Sequence, residues 1–190
     1  MAVTKAFGAD AVRAAVAAGM PDVGENYATE LLGKVGALGP LASSVRWHYL
    51  GALQRRRVRD LAPVVSWWQT VSRVEEGAAI AGHAPGATVL VEVETTGIGG
   101  RNGVAPAAVP GLVEALRRQG LDVRGLMTVG PPPPADARPG FRTTARLAAE
   151  LGLPELSMGM TDDLEVAVEE GSTMVRVGRA LFGERPTAMR

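Results

Sequence analysis

The chain of 190 residues has no cysteine. That removes disulfides, thiolate nucleophiles and Cys-based zinc sites, and it suits a reducing, cytoplasmic setting. Lysine is nearly absent: of 20 basic residues, only Lys5 and Lys34 are lysines. A chemistry that needs an imine-forming side-chain amine therefore has two candidates. There is no net charge, with 20 basic and 20 acidic residues, so no global field draws the chain to nucleic acid or an anionic membrane. No run of about 18 apolar residues is present to span a bilayer. The Ala-rich start is interrupted by Asp10 and Arg13 and does not read as a signal peptide. His48 and His83 lie far apart with no acidic partner at ligand spacing, so no metal site is expected.

What is there is a single hydrophobic core's worth of residues, 46% of the chain, in a length that supports one domain over 1–190. Short apolar runs near 2–4, 22–24, 46–50, 64–70, 88–94, 123–129, 155–158 and 173–177 read as strands. The stretches between them carry a 3.6-residue period. Val109, Leu112, Val113 and Leu116 fall on one helix face before Gly120. Leu147, Ala148 and Leu151 do so before Gly152, and Leu164, Ala167 and Val168 before Gly171. Asp10 reads as the N-cap of a helix ending at Gly19. Eight strands, nearly all followed by a helix, predict a lean α/β fold of the (β/α)8 TIM-barrel kind with a short first strand; a doubly wound open sheet is the alternative. The Pro131–Pro134 run reads as a stiffened loop. The basic cluster Arg55–Arg59 reads as a solvated helix face, and Trp67-Trp68 as opposed core residues on one strand.

In such barrels chemistry sits at the carboxyl ends of the strands, and anions are often held after strands seven and eight. There the chain has Ser157-Met158-Gly159-Met160-Thr161 before a helix at 162–170, and Val177-Gly178-Arg179 before a short turn. The pattern fits an anion site, and it also fits two ordinary loops with a cap. Lys5 closes the first strand. By spacing alone a solvent-exposed strand-end lysine is the simpler reading, and Lys34 reads as surface. Arg176 alternates with Val175 and Val177 and faces inward, towards either a salt bridge or a ligand. The Gly-rich stretch 96–103 departs from G-x-G-x-x-G at Asn102 and reads as a flexible loop.

Taken in order, Val3-Thr4-Lys5, the run Asp22 to Asn26, the run Arg46 to Gln54, the run Gly125 to Thr128, the run Leu156 to Thr161 with Asp163-Leu164-Glu165, and the run Glu170 to Gly178 with Phe182-Gly183 resemble the pyridoxal phosphate homeostasis proteins over essentially the whole chain. The resemblance implies a barrel like the N-terminal domain of alanine racemase. It implies pyridoxal 5'-phosphate as cofactor, held as an imine on Lys5 with Arg176 at the pyridine nitrogen. It implies Ser157 and the backbone around Gly178 and Arg179 at the phosphate, with Asn26, His48 and Met158 as pocket lining; the spacing adds Gly159 and Thr161 to the cofactor-binding candidates. The implied role is to hold, buffer and hand over the cofactor to apo-enzymes without turnover; with no obvious dimer segment in the sequence, a monomer is expected. A racemase-like pyridoxal enzyme is the alternative, and a phosphosugar isomerase on the same barrel is a weaker rival. The chain departs from the usual pattern at Gln69, Glu94, Arg101, Arg179 and Arg56-Arg57. The abrupt first strand also leads us to expect a true start further upstream.

Overall fold

The computed structural model describes residues 1–133 and 136–184. Strand and helix alternate: β1 (Ala2–Val3), α1 (Ala9–Ala17), β2 (Asp22–Glu25), α2 (Ala28–Leu38), β3 (Arg46–Tyr49), α3 (Arg55–Leu61), β4 (Val65–Val71), α4 (Val74–His83), β5 (Thr88–Val93), α5 (Val109–Arg118), β6 (Asp122–Thr128), α6 (Arg138–Glu150), β7 (Glu155–Ser157), α7 (Leu164–Glu169) and α8 (Arg179–Phe182). The strands pair in parallel and in sequence order, β1 to β7. The eighth expected strand, 173–177, is not a regular strand. It bridges β7 at Ser157–Met174 and β1 at Ala2–Val177. Val3 N–H donates to Val177 O at 2.8 Å and Val177 N–H to Met1 O at 3.1 Å. The ladder stays fragmentary because its neighbours are short: β1 has two residues and β7 three. The segment nevertheless closes the barrel.

Alternation explains what lies inside. Val89, Val91 and Val93 of β5 join the core under the helices, as do Trp47, Tyr49 and Trp68. The residues between them turn inward. Gln69 on β4 accepts a hydrogen bond from Ser157 on β7 at 2.7 Å; these strands are not neighbours in the sheet, so the bond crosses the barrel interior. Trp67 is inward too, stacked on His48 with ring centroids 5.5 Å apart, while Trp68 is fully buried on the helix side.

The α5 face is as its period predicts, with Val109, Leu112, Val113 and Leu116 all buried. Two local readings change. Gly8, not Asp10, caps α1; Asp10 lies in the first turn, where its charge still favours the helix dipole. Helix α7 is shorter than 162–170, and Val168 is 56% exposed; a helix of under two turns has room to bury little beyond Ala167. Pro131–Pro133 follow β6, and Pro134 lies outside the described residues.

Candidate functional site

The carboxyl ends of the strands open into a cavity of about 690 Å³, a size suited to a small cofactor. Lys5, Asn26, Thr161, Arg176, Gly178 and Arg179 line it. Lys5 is half-buried at the end of β1. The other lysine corrects our expectation. Lys34 is 6% exposed, not a surface residue. Its ammonium pairs with the Glu25 carboxylate and donates to Thr4 O at 2.7 Å. It lies on the α2 face that packs back on β2, where a long side chain can bury its stem and still reach a carboxylate. Of the two side-chain amines, Lys5 is the one on the cavity wall.

Arg176 is 5% exposed. Its Nη1 donates to Ser157 O at 2.6 Å and Ser157 Oγ at 2.9 Å, and its Nη2 to Thr128 O at 2.8 Å. Among the described residues it makes no ion pair within 4 Å, so of the two alternatives the salt bridge is not realised. Burial lowers its pKa to about 10, with Asp163 and Glu92 acting in the opposite direction. It stays charged at neutral pH, a cation held on neutral acceptors at the cavity floor.

The remaining expected residues sit behind that floor. His48, Ser157 and Met158 are fully buried and Gly159 is buried; none of them lines the cavity. Alternation turns Ser157 inward and Met158 outward into the helix-side core. Gly159 has φ +91°, and a Cβ there would come within 2.5 Å of the Ala167 Cβ, so the backbone passes α7 only as glycine. Ser157 Oγ–H donates to Gln69 Oε1, Gln69 Nε2 donates to His48 Nδ1 at 2.8 Å, and His48 Nε2 meets Asp22 Oδ1 at 3.0 Å. A neutral imidazole with its proton on Nε2 satisfies both contacts. Burial pushes the His48 pKa below its usual value, with Asp22 opposing. Asp22 itself is held down at about 2, mainly by hydrogen bonding to Arg46. The donors thus run one way through the barrel, from Arg176 to Ser157, Gln69, His48 and Asp22.

The sequence reading missed Glu92. It is buried, inward on β5, and bonded to Asn102 of the Gly-rich stretch. A lone acid among Thr-Val-Leu-Val was the available signal, since a buried carboxylate needs a partner. Desolvation raises its pKa, while Asn102 and Arg176 oppose. Asn102 also receives a bond from Ser72 Oγ at 3.2 Å, so this stretch is pinned to the barrel at that point. Glu94 faces the cavity, but its oxygens accept from Thr96 and Gly97. Asp162 pairs with Arg179.

The site suits pyridoxal phosphate on its own features. An amine and a desolvated guanidinium line one cavity. The buried Oδ1 of Asn26 has no hydrogen-bond partner there, which leaves an acceptor for a ligand donor. A Cβ at Gly178 would meet Val3 O at 2.9 Å, so glycine lets the backbone reach the wall. The acids at the rim are largely engaged with the chain's own donors, which limits repulsion of an anion.

Fold and site define a lysine-bearing barrel of the alanine racemase N-terminal type, and the profile of that family ("Alanine racemase, N-terminal domain") matches residues 1–186. The chain is 40% identical over 97% of its length to the pyridoxal phosphate homeostasis protein of Pseudomonas aeruginosa, covering 84% of it. It is 35% identical to that of Bos taurus, covering 97% of this chain and 76% of the relative. The chain belongs to the family of pyridoxal phosphate homeostasis proteins. PipY of Synechococcus elongatus PCC7942, solved with pyridoxal phosphate bound, superposes with a TM-score of 0.85 at 33% identity, over 96% of this chain and 91% of that one. An alanine racemase from Clostridium difficile 630 shares the fold at a TM-score of 0.79 and 15% identity, over 98% of this chain and 52% of that one.

Proposed function

We propose that this protein binds pyridoxal 5'-phosphate, with Lys5 as the capturing amine, and works as a cytoplasmic, monomeric holder that buffers the cofactor and passes it to apo-enzymes. The observation that carries the reading is that Lys5 and Arg176 line the same cavity. When bound, the cofactor supplies an aldehyde that a lysine amine can capture and a ring that can draw electrons. Arg176 would face the ring nitrogen. A guanidinium that stays charged and only donates does not readily give a proton to that nitrogen, so the ring remains a weak electron sink. Thr161 and the opening amides of α8 at Gly178 and Arg179, which have no intrahelical acceptor, would receive the phosphate. The Arg179 side chain would have to leave Asp162 to contribute. Behind the floor, Ser157 would act on the ligand through Arg176.

A racemase needs a second base across the ring. Tyr27 is 57% exposed and Tyr49 is 3% exposed with burial raising its pKa; neither lines the cavity. That supports holding over turnover. The test is to load the protein and mix it with an apo pyridoxal enzyme and, separately, with L-alanine. Activation of the apo-enzyme without racemisation supports the holder. Racemisation that disappears in Lys5→Ala would reject it.

A further inference from the structure

Lys5 sits in a tight turn that its sequence does not favour. Phe7 N–H donates to Thr4 O at 3.0 Å, closing the turn Thr4-Lys5-Ala6-Phe7. Ala6 is at the third position with φ +66°, the one described non-glycine residue in the left-handed region. That position normally takes Gly or Asn, and an alanine there is strained unless its surroundings enforce it.

Both flanks of Lys5 are enforced by charged groups from the next βα unit. Ala6 N–H donates to Glu30 Oε2 at 2.9 Å. Thr4 Oγ1 donates to Glu25 Oε1 at 2.5 Å, and Thr4 O receives the Lys34 ammonium at 2.7 Å. Lys34 joins the two carboxylates, pairing with Glu25 and lying 3.8 Å from Glu30. Thr4, Glu25 and Lys34 are all buried. One cation and two acids thus grip the residues before and after Lys5.

We propose, resting on the reading of Lys5 as the capturing amine, that Lys34 with Glu25 and Glu30 forms a positioning clamp that holds the Lys5 turn in its strained form, so that the Lys5 amine meets the cofactor already oriented. The second lysine of the chain is a positioning residue for the first. Pre-setting the backbone removes ordering cost from the capture step.

The test compares wild type, Glu30→Ala, Lys34→Met and the double variant Glu30→Ala/Ala6→Gly. Pyridoxal phosphate is added, samples are reduced with borohydride over a time course, and the adduct is mapped by peptide mass. Melting temperature and amide hydrogen exchange at Ala6 are measured on the unloaded proteins. Glu30 is partly exposed, so Glu30→Ala tests the clamp even if Lys34→Met fails to fold. The clamp predicts capture at Lys5 slowed at least about fivefold in Glu30→Ala, faster exchange at Ala6 and little change in melting. It also predicts most of the rate restored by Ala6→Gly, because glycine adopts the left-handed conformation without help. A Lys5 adduct that forms at the wild-type rate in Glu30→Ala, with exchange at Ala6 unchanged, overturns the clamp and leaves the Lys5 reading standing. An adduct absent from Lys5 in the wild type overturns both.

Discussion

The two sides of the cavity are held by opposite means. On the lysine side, the backbone around Lys5 is gripped by ionic groups, Glu25, Glu30 and Lys34. On the arginine side, the buried Arg176 charge rests on carbonyls and a hydroxyl, continued by the amide of Gln69 and the imidazole of His48. Fixed charges on this side set the path of the backbone on both flanks of Lys5. Neutral acceptors leave the guanidinium charge uncompensated and open to a ligand, where a carboxylate partner would satisfy it.

The largest effect expected on this contrast is at Lys5. Lys5→Ala should abolish the borohydride-fixed adduct and the visible band while weak binding persists through the phosphate, read by equilibrium dialysis. Next comes Arg176→Met. It should weaken pyridoxal phosphate binding about 30-fold, the worth of roughly 2 kcal/mol for a charge-assisted contact, and shift the absorbance; an unchanged titration would remove Arg176 from the site. Ser157→Ala cuts the neutral chain without touching the cavity wall. It leaves Gln69 Oε1 without its donor and should cost about 1–2 kcal/mol, seen as a melting point lower by about 3–6 °C. The smallest effect is at the rim. Arg179→Ala removes an exposed pair with Asp162 and should leave the melting point nearly unchanged, with the phosphate end of the ligand weakened only a few-fold.

The same contrast has a pH signature. Burial lowers the folded-state pKa of His48, so the unfolded chain binds the proton more readily. The resulting stability is present above about pH 6.5 and is lost as pH falls through the folded value. Glu25 and Glu92 shift the other way, raised by desolvation; their contribution is present at low pH and declines as pH rises through their folded values. Asp22, at about 2, adds stability that is lost only in stronger acid, between about pH 4 and 2. Urea unfolding of wild type and His48→Asn across pH 4.5–7.5 isolates the first effect. The difference between them should shrink as pH falls below 6.5, and a constant difference would mean that His48 does not titrate in this way.

Much of this was legible in the sequence, because strand alternation and helix period are local. The α5 stripe and the inward Arg176 followed from spacing alone, and Lys5 on the wall followed from the family motifs. Lys34 did not. Among Gly33, Val35 and Gly36 on a helix it reads as a surface residue, and its burial depends on Glu25, which comes from another element. Ser157 was expected to reach the phosphate, yet it faces Gln69 from across the barrel. A one-residue difference along a strand decides between the cavity wall and its support, and spacing does not resolve that where the strand ends. The eighth strand was read correctly as closing the barrel but not in its form, since the number of its bridges depends on how short β1 and β7 are.

The central claim, that this chain captures pyridoxal phosphate on Lys5, is tested most directly by one sample. Purified protein is mixed with the cofactor, its visible spectrum recorded, and the mixture reduced with borohydride and mapped by peptide mass. The chain offers Lys5, Lys34 and the Met1 amine as candidates. The account predicts a visible band and a single adduct on the peptide carrying Lys5. An adduct on Lys34 or on the amino terminus with Lys5 unmodified, or no adduct at all, would contradict it.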